Sequence, residues 1–217
     1  MQPAAPLPAR LTALALAILA LAALWLQFDV MRVPPGVMAR LWLMAGYFTV
    51  LTNALIALHL LAVALGWPFG ASRAAGLLLA ILVVGLIYHL VLARLWAPQG
   101  RAWWADQGLH TAIPLGYGLW WLGYARKSVT RRDLPYWLLW PLLYGGYALT
   151  RGAISGFWAY PFLNADSLGW TGVGLTMVAM LLGFAALGMG VVWLAQRLSR
   201  TAPVDPAASG HGDPQSR

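Results

Sequence analysis

The residues able to do chemistry in this chain are few and fall in short clusters. Thr49, Thr52 and Asn53 form one, with Thr49 and Asn53 four apart and so on one face of a helix. His89 stands alone. Asp106, His110 and Thr111 form another, and Pro114 follows four residues after His110. Arg151 precedes an aromatic segment that holds Trp158 and Tyr160. A hydroxyl near an imidazole is the raw material of acyl transfer: the base takes the hydroxyl proton and the oxygen attacks a carbonyl. Other chemistries lack their groups. Cysteine is absent, which removes thiolate nucleophiles, disulfides and thiolate metal sites. Glutamate is absent too, and none of the six aspartates falls mid-way along an apolar stretch, so a carboxylate relay across a membrane has no material. No histidine pair has metal-ligand spacing, no glycine-rich phosphate loop or G-x-S-x-G turn occurs, and neither metal nor cofactor is expected.

The elements that must position these groups are apolar and long. Six stretches stand out: 11–28, 43–66, 74–96, 108–124, 134–150 and 168–194. Each has roughly 17 or more mostly apolar residues, enough to cross about 30 Å of hydrocarbon as a helix. Hydrophobic residues make up 61% of the chain and charged ones 9%, against the roughly 25% charged of soluble domains. The expectation is an all-α polytopic membrane protein: one domain over residues 1–200, a bundle of six transmembrane helices with both termini cytoplasmic, and a disordered cytoplasmic tail over 201–217. The first stretch ends in Trp25-Leu26-Gln27-Phe28-Asp29, without the small-residue pattern of a cleaved signal, and is read as a span. No internal repeat is visible.

A net charge of +8 would suit a nucleic-acid binder, but the distribution rejects that reading. With the N-terminus inside, nine of the fourteen Lys and Arg residues fall on the inner side and five on the outer, and the run Arg126–Arg132 dominates the bias. Alanine- and arginine-rich usage points to a bacterial plasma membrane. Alternating crossings then bring Thr49, Thr52, Asn53, His89, Arg94, His110, Thr111, Arg151 and the aromatic segment to the outer end. At 1.5 Å per residue, Thr49 is expected about 9 Å inside its span and His110 about 3 Å inside its own.

Each of these residues also has a plain structural role open to it. A lone threonine in a membrane helix ordinarily bonds back to a carbonyl. His59 and His89 suit interhelical hydrogen bonds, Asp106 suits the N-cap of the fourth span, and Arg151 suits snorkelling to headgroups. His110 is drawn towards neutral imidazole by the helix N-terminus and burial, and towards imidazolium by Asp106. Pro114 removes the donor for the His110 carbonyl, which predicts a kink or opening there. The residues by themselves thus give a polar pocket at the outer leaflet.

Three segments together resemble a known family. Gly46-Tyr47-Phe48-Thr49-Val50-Leu51-Thr52-Asn53, Gly108-Leu109-His110-Thr111-Ala112-Ile113-Pro114 and Gly156-Phe157-Trp158-Ala159-Tyr160-Pro161-Phe162-Leu163 are similar, in order and spacing, to the androgen-induced family of integral-membrane lipid hydrolases, particularly its bacterial relatives. The resemblance covers roughly residues 40–195. It implies hydrolysis of fatty acid esters of hydroxy fatty acids, with a threonine nucleophile on Thr49 and a histidine on His110. Because Thr52 shifts Asn53 relative to the family pattern, Thr52 stays open as the nucleophile. Asn53, Thr52 or backbone amides are candidates for the oxyanion, Asp106 for orienting His110, and Arg151 (or Arg94), Trp158, Tyr160 and His89 for substrate. Membrane lipids or a lipid ester are the expected partners; no oligomeric state follows. The rival expectations are a non-catalytic lipid-binding or transport-related membrane protein, and a purely structural subunit.

Overall fold

The computed structural model describes residues 5–200 apart from 33 and 96. The tail 201–217, expected to be disordered, lies outside the described residues. Helices account for the fold: α1 (Leu7–Val30), α2 (Val37–Met44), α3 (Phe48–Ala64), α4 (Ala71–Ile87), α5 (Arg101–Gln107), α6 (Ile113–Tyr124), α7 (Leu134–Ser155) and α8 (Ala165–Arg200). Two π-turns prolong them, Tyr88–Leu92 after α4 and Gly108–Ala112 between α5 and α6. No strand occurs among the described residues, as the all-α expectation requires.

Hydrogen bonds between elements show six rods of alternating direction. At one end Arg10 donates to the Ala64 carbonyl, Trp120 to the Ala9 carbonyl and Trp137 to Ser72. At the other end Arg101 pairs with Asp29 at 2.9 Å, Tyr88 donates to Asp106, and Asn53 donates to Leu109. Asn53 and Asp106 are thereby placed at this second end, with Thr49 and His110 in the same turns.

The rods are apolar on the outside. α1 buries a stripe of alanines (Ala9, Ala13, Ala17, Ala20 and Ala23) while Leu11, Ile18, Leu21 and Trp25 face outward. Small residues inside and large ones outside is the pattern of helices that pack closely in lipid, where nothing drives the large side chains inward. Three helices are long and apolar enough to cross a membrane: α1, α4 with its π-turn, and α8; α2 with α3 makes a fourth if that bent pair counts as one span. This is fewer than the six expected. The stretches 108–124 and 134–150 are helical, but Trp, Tyr, Gly and Pro dilute their hydropathy below that measure.

The second stretch, expected as one span over 43–66, is broken. α2 and α3 meet at 95° across Ala45–Tyr47. Tyr47 is extended there (φ −101°, ψ 128°), which resets the chain before α3 begins. Glycines set other close approaches. A Cβ on Gly108 would lie 2.7 Å from the Cβ of Ala23, a rigid neighbour, so α1 touches the π-turn at backbone distance. Gly108→Ala is accordingly expected to push α1 away and cost about 1–3 kcal/mol, read as a lowered midpoint of thermal unfolding in detergent, whereas Gly123→Ala, which meets nothing within 4 Å, leaves it unchanged.

Candidate functional site

The break before α3 creates a helix N-terminus inside the bundle. Thr49 occupies its first turn, not a position about 9 Å inside a continuous span. The first in-helix bond is from the Leu51 amide to the Tyr47 carbonyl, so the amides of Phe48, Thr49 and Val50 precede the helical ladder. The Thr49 amide donates to the Tyr160 hydroxyl at 3.4 Å. Both residues line a cavity between α3, α4, α7 and α8. The rest of the wall is almost wholly apolar, including Phe48, Val84, Ile87, Met177 and Phe184. Such a lining suits an apolar ligand.

Thr52 is placed differently. It is completely buried, accepts a bond from Trp140 Nε1 at 3.1 Å, and does not line the cavity. Asn53 is also fully buried. Its Nδ2 donates to the carbonyls of Thr49 at 2.9 Å and of Leu109 at 3.1 Å, tying the first turn of α3 to the residue before His110. Its Oδ1 is buried without a partner.

His110 lies in the Gly108–Ala112 π-turn, the form taken by the opening expected ahead of Pro114. Because the helix starts at Arg101, His110 is more than two turns inside it and not about 3 Å from its start. For the same reason Asp106 is no N-cap. It sits within α5, 5% exposed; its carboxylate accepts from the Tyr88 hydroxyl and from Gln107 Nε2 at 3.3 Å, and lies 3.3 Å from His110 Nδ1. His110 Nδ1 also lies 3.0 Å from the Asp106 carbonyl, and Tyr88 stacks on the imidazole at 4.0 Å. Held at Nδ1, the ring leaves Nε2 as its open nitrogen. No hydrogen bond joins His110 to Thr49 among the described residues, and His110 does not line the cavity.

The remaining candidates separate into three places. His89 is exposed and bonds Thr111 at 3.1 Å, which in turn donates to Gln107 at 3.0 Å. This is the interhelical bond expected of His89; His59 makes none through Nε2, which is buried without a partner among the rings of Phe69, Tyr117 and Trp120. Trp158 packs on Gly152, where a Cβ would lie 2.2 Å from its ring, and donates to Asp166 at 2.7 Å. It secures the loop that carries Tyr160 into the cavity wall. Arg151 does not snorkel: it is buried, with Nη1 donating to the Tyr147 hydroxyl. Tyr88, Gln107 and Tyr144, whose hydroxyl donates to the Gly46 carbonyl at 2.8 Å, were not singled out from sequence. The signal available for Tyr88 and Tyr144 was a phenol inside an apolar stretch, whose hydroxyl must find a partner when buried.

No family model matches the chain, and no curated protein or solved structure is detectably similar to it.

Removing the Asn53 amide leaves the Leu109 carbonyl buried without its side-chain donor. Asn53→Ala is expected to destabilise the fold by about 1–3 kcal/mol, while Thr111→Val, which removes a partly exposed bond, stays within about 0.5 kcal/mol. Thermal unfolding of both variants in the same detergent checks the contrast.

Proposed function

We propose that this chain is a multi-pass membrane protein that takes a fatty-acyl ester into the α3–α4–α7–α8 cavity and hydrolyses it with Thr49. One observation carries the reading: in an otherwise apolar cavity wall, Thr49 stands beside the Tyr160 hydroxyl in the first turn of α3. The resemblance to the androgen-induced family supports the same residue. Six crossings with both termini cytoplasmic, in a bacterial plasma membrane, fit the alternating rods. They also fit the outward leucines of the two less apolar helices, Leu115 and Leu119 on α6 and Leu139 and Leu143 on α7.

The chemistry proposed is a two-step acyl transfer. His110 Nε2, with Nδ1 held by Asp106, takes the Thr49 hydroxyl proton through an intervening water, and Oγ1 bonds to the ester carbonyl carbon. The carbonyl oxygen gains charge beside the amides that open α3, the positive end of that helix dipole. The carbonyl re-forms as the bond from its carbon to the ester's alkoxy oxygen breaks, the leaving alkoxide takes the proton from His110, and an acyl-threonine remains. A water deprotonated by the same imidazole attacks it, releasing the fatty acid and restoring the hydroxyl. Asn53 serves by fixing the two segments against each other, and Tyr160 by holding the Thr49 amide. Thr52, sealed beneath Trp140, has no part in bond making.

A second reading has its own support. His110 is engaged by Asp106 and Tyr88 and does not touch Thr49, which favours a protein that binds a lipid chain without turnover. Hydrolysis of fatty-acyl esters by purified protein, together with fluorophosphonate labelling, separates the two. Under the hydrolase reading Thr49→Ala and His110→Ala each lose about 100-fold or more in rate, labelling disappears with Thr49, and Thr52→Ala keeps both. Thr49→Ala and His110→Ala proteins that hydrolyse at the wild-type rate would end it. A wild type that binds esters without turnover or labelling identifies the lipid-binding protein.

A further inference from the structure

Arg151 is a buried cation that the proposed acyl transfer does not use. It is 7% exposed, and its guanidinium carbon lies 4.2 Å from the ring centre of Trp42 and 4.6 Å from that of Phe157. One donor is satisfied, Nη1 to the Tyr147 hydroxyl at 2.8 Å. Nε is buried with no acceptor, and among the described residues no carboxylate pairs with the guanidinium. Asp166, in the following segment, is occupied by Trp158 Nε1. Aromatic faces stabilise a guanidinium, but they accept none of its in-plane N–H groups. A planar fork of donors held in an apolar surround without a counter-ion is built for a planar or tetrahedral oxyanion.

The surroundings indicate how that anion arrives. Trp42 on α2 packs upon the guanidinium, and it is an exposed apolar residue, as are Met38 and Leu41 on the same helix and Ile154, three residues after Arg151. Towards the interior, Phe157 meets Tyr47 edge-on, and Tyr47 meets Tyr160 in the cavity wall. The cation therefore stands between an apolar exterior and the polar end of the cavity. Gly46 is essential to the arrangement, since a Cβ there would lie 2.5 Å from Phe157 and 3.0 Å from Nη1.

We propose that Arg151, framed by Trp42, Phe157 and Tyr147, binds the oxyanion head of an anionic lipid, a carboxylate or a phosphate carried on a hydrocarbon chain. The site does not depend on Thr49 acting as a nucleophile, so its failure and the failure of the hydrolase reading are separate results.

Binding to the purified full-length protein in uncharged detergent tests it, followed by tryptophan fluorescence. Palmitate is compared with methyl palmitate, and 1-palmitoyl lysophosphatidate with monopalmitoylglycerol. The expected result is a roughly tenfold tighter apparent Kd for the charged member of at least one pair, and the larger ratio tells carboxylate from phosphate. Arg151→Gln removes the ratio while leaving the uncharged ligands bound as before, Arg151→Lys keeps part of it, and Thr49→Ala keeps all of it. Equal affinities within both pairs for the wild type would overturn the proposal whether or not Arg151→Gln folds. So would a ratio that survives in a folded Arg151→Gln. Inorganic phosphate binding as tightly as the charged lipids would overturn the lipid assignment.

Discussion

The amide of Asn53 holds the arrangement together. It is fully buried, and its two donors reach carbonyls on different elements, Thr49 in the first turn of α3 and Leu109 in the turn that presents His110. In an apolar bundle there is no water to replace either bond, so the side chain fixes the spacing of the two segments. It joins the turn of α3 that enters the cavity wall to the turn that carries the Asp106–His110–Tyr88 cluster. Both depend on it for their relation to each other.

Two departures from regular helix make room for these groups. The 95° break at Ala45–Tyr47 frees amides at the start of α3, and the π-turn over Gly108–Ala112 turns His110 towards Tyr88 and Asp106. Pro114 makes the second departure tolerable, because its missing N–H already leaves the His110 carbonyl without a helical donor. Gly85 completes it from α4, approaching so closely that a Cβ would lie 3.3 Å from that same carbonyl. Irregular backbone within an apolar bundle is confined here to places where other protein segments cover it.

Much of this was legible in the residues, and the limits have physical causes. Apolar length predicted the helices, and alternation of their ends predicted that Thr49, Asn53, His110 and Tyr160 would share one end of the bundle. Composition did not locate the break, because Gly46-Tyr47 sits within an unbroken apolar run and the hydropathy pattern is blind to a reset of φ and ψ. The role of Asp106 was misjudged for a related reason: a helix starting at Gly108 makes it a cap, whereas a start at Arg101 buries it beside Tyr88. Apolar length and composition single out fewer spans than six, since α6 and α7 carry the tryptophans, tyrosines, prolines and glycines that shape the interior. Thr49 and Thr52 could not be ranked from spacing, yet one turn of helix puts one residue in a cavity wall and the other under an indole.

The shortness of α3 has a consequence for the surrounding lipid. After the break only 17 residues remain in the helix, about 25 Å at 1.5 Å per residue, against about 30 Å of hydrocarbon. Were α3 to cross a bilayer, as the proposed topology has it, the lipid would have to thin beside it or the other rods tilt to shorten their own span. Either adjustment lowers the level of the lipid headgroups toward Thr49 at that end, so hydrophobic mismatch would bring the aqueous boundary closer to the cavity than the longer helices α1 and α8 alone would allow.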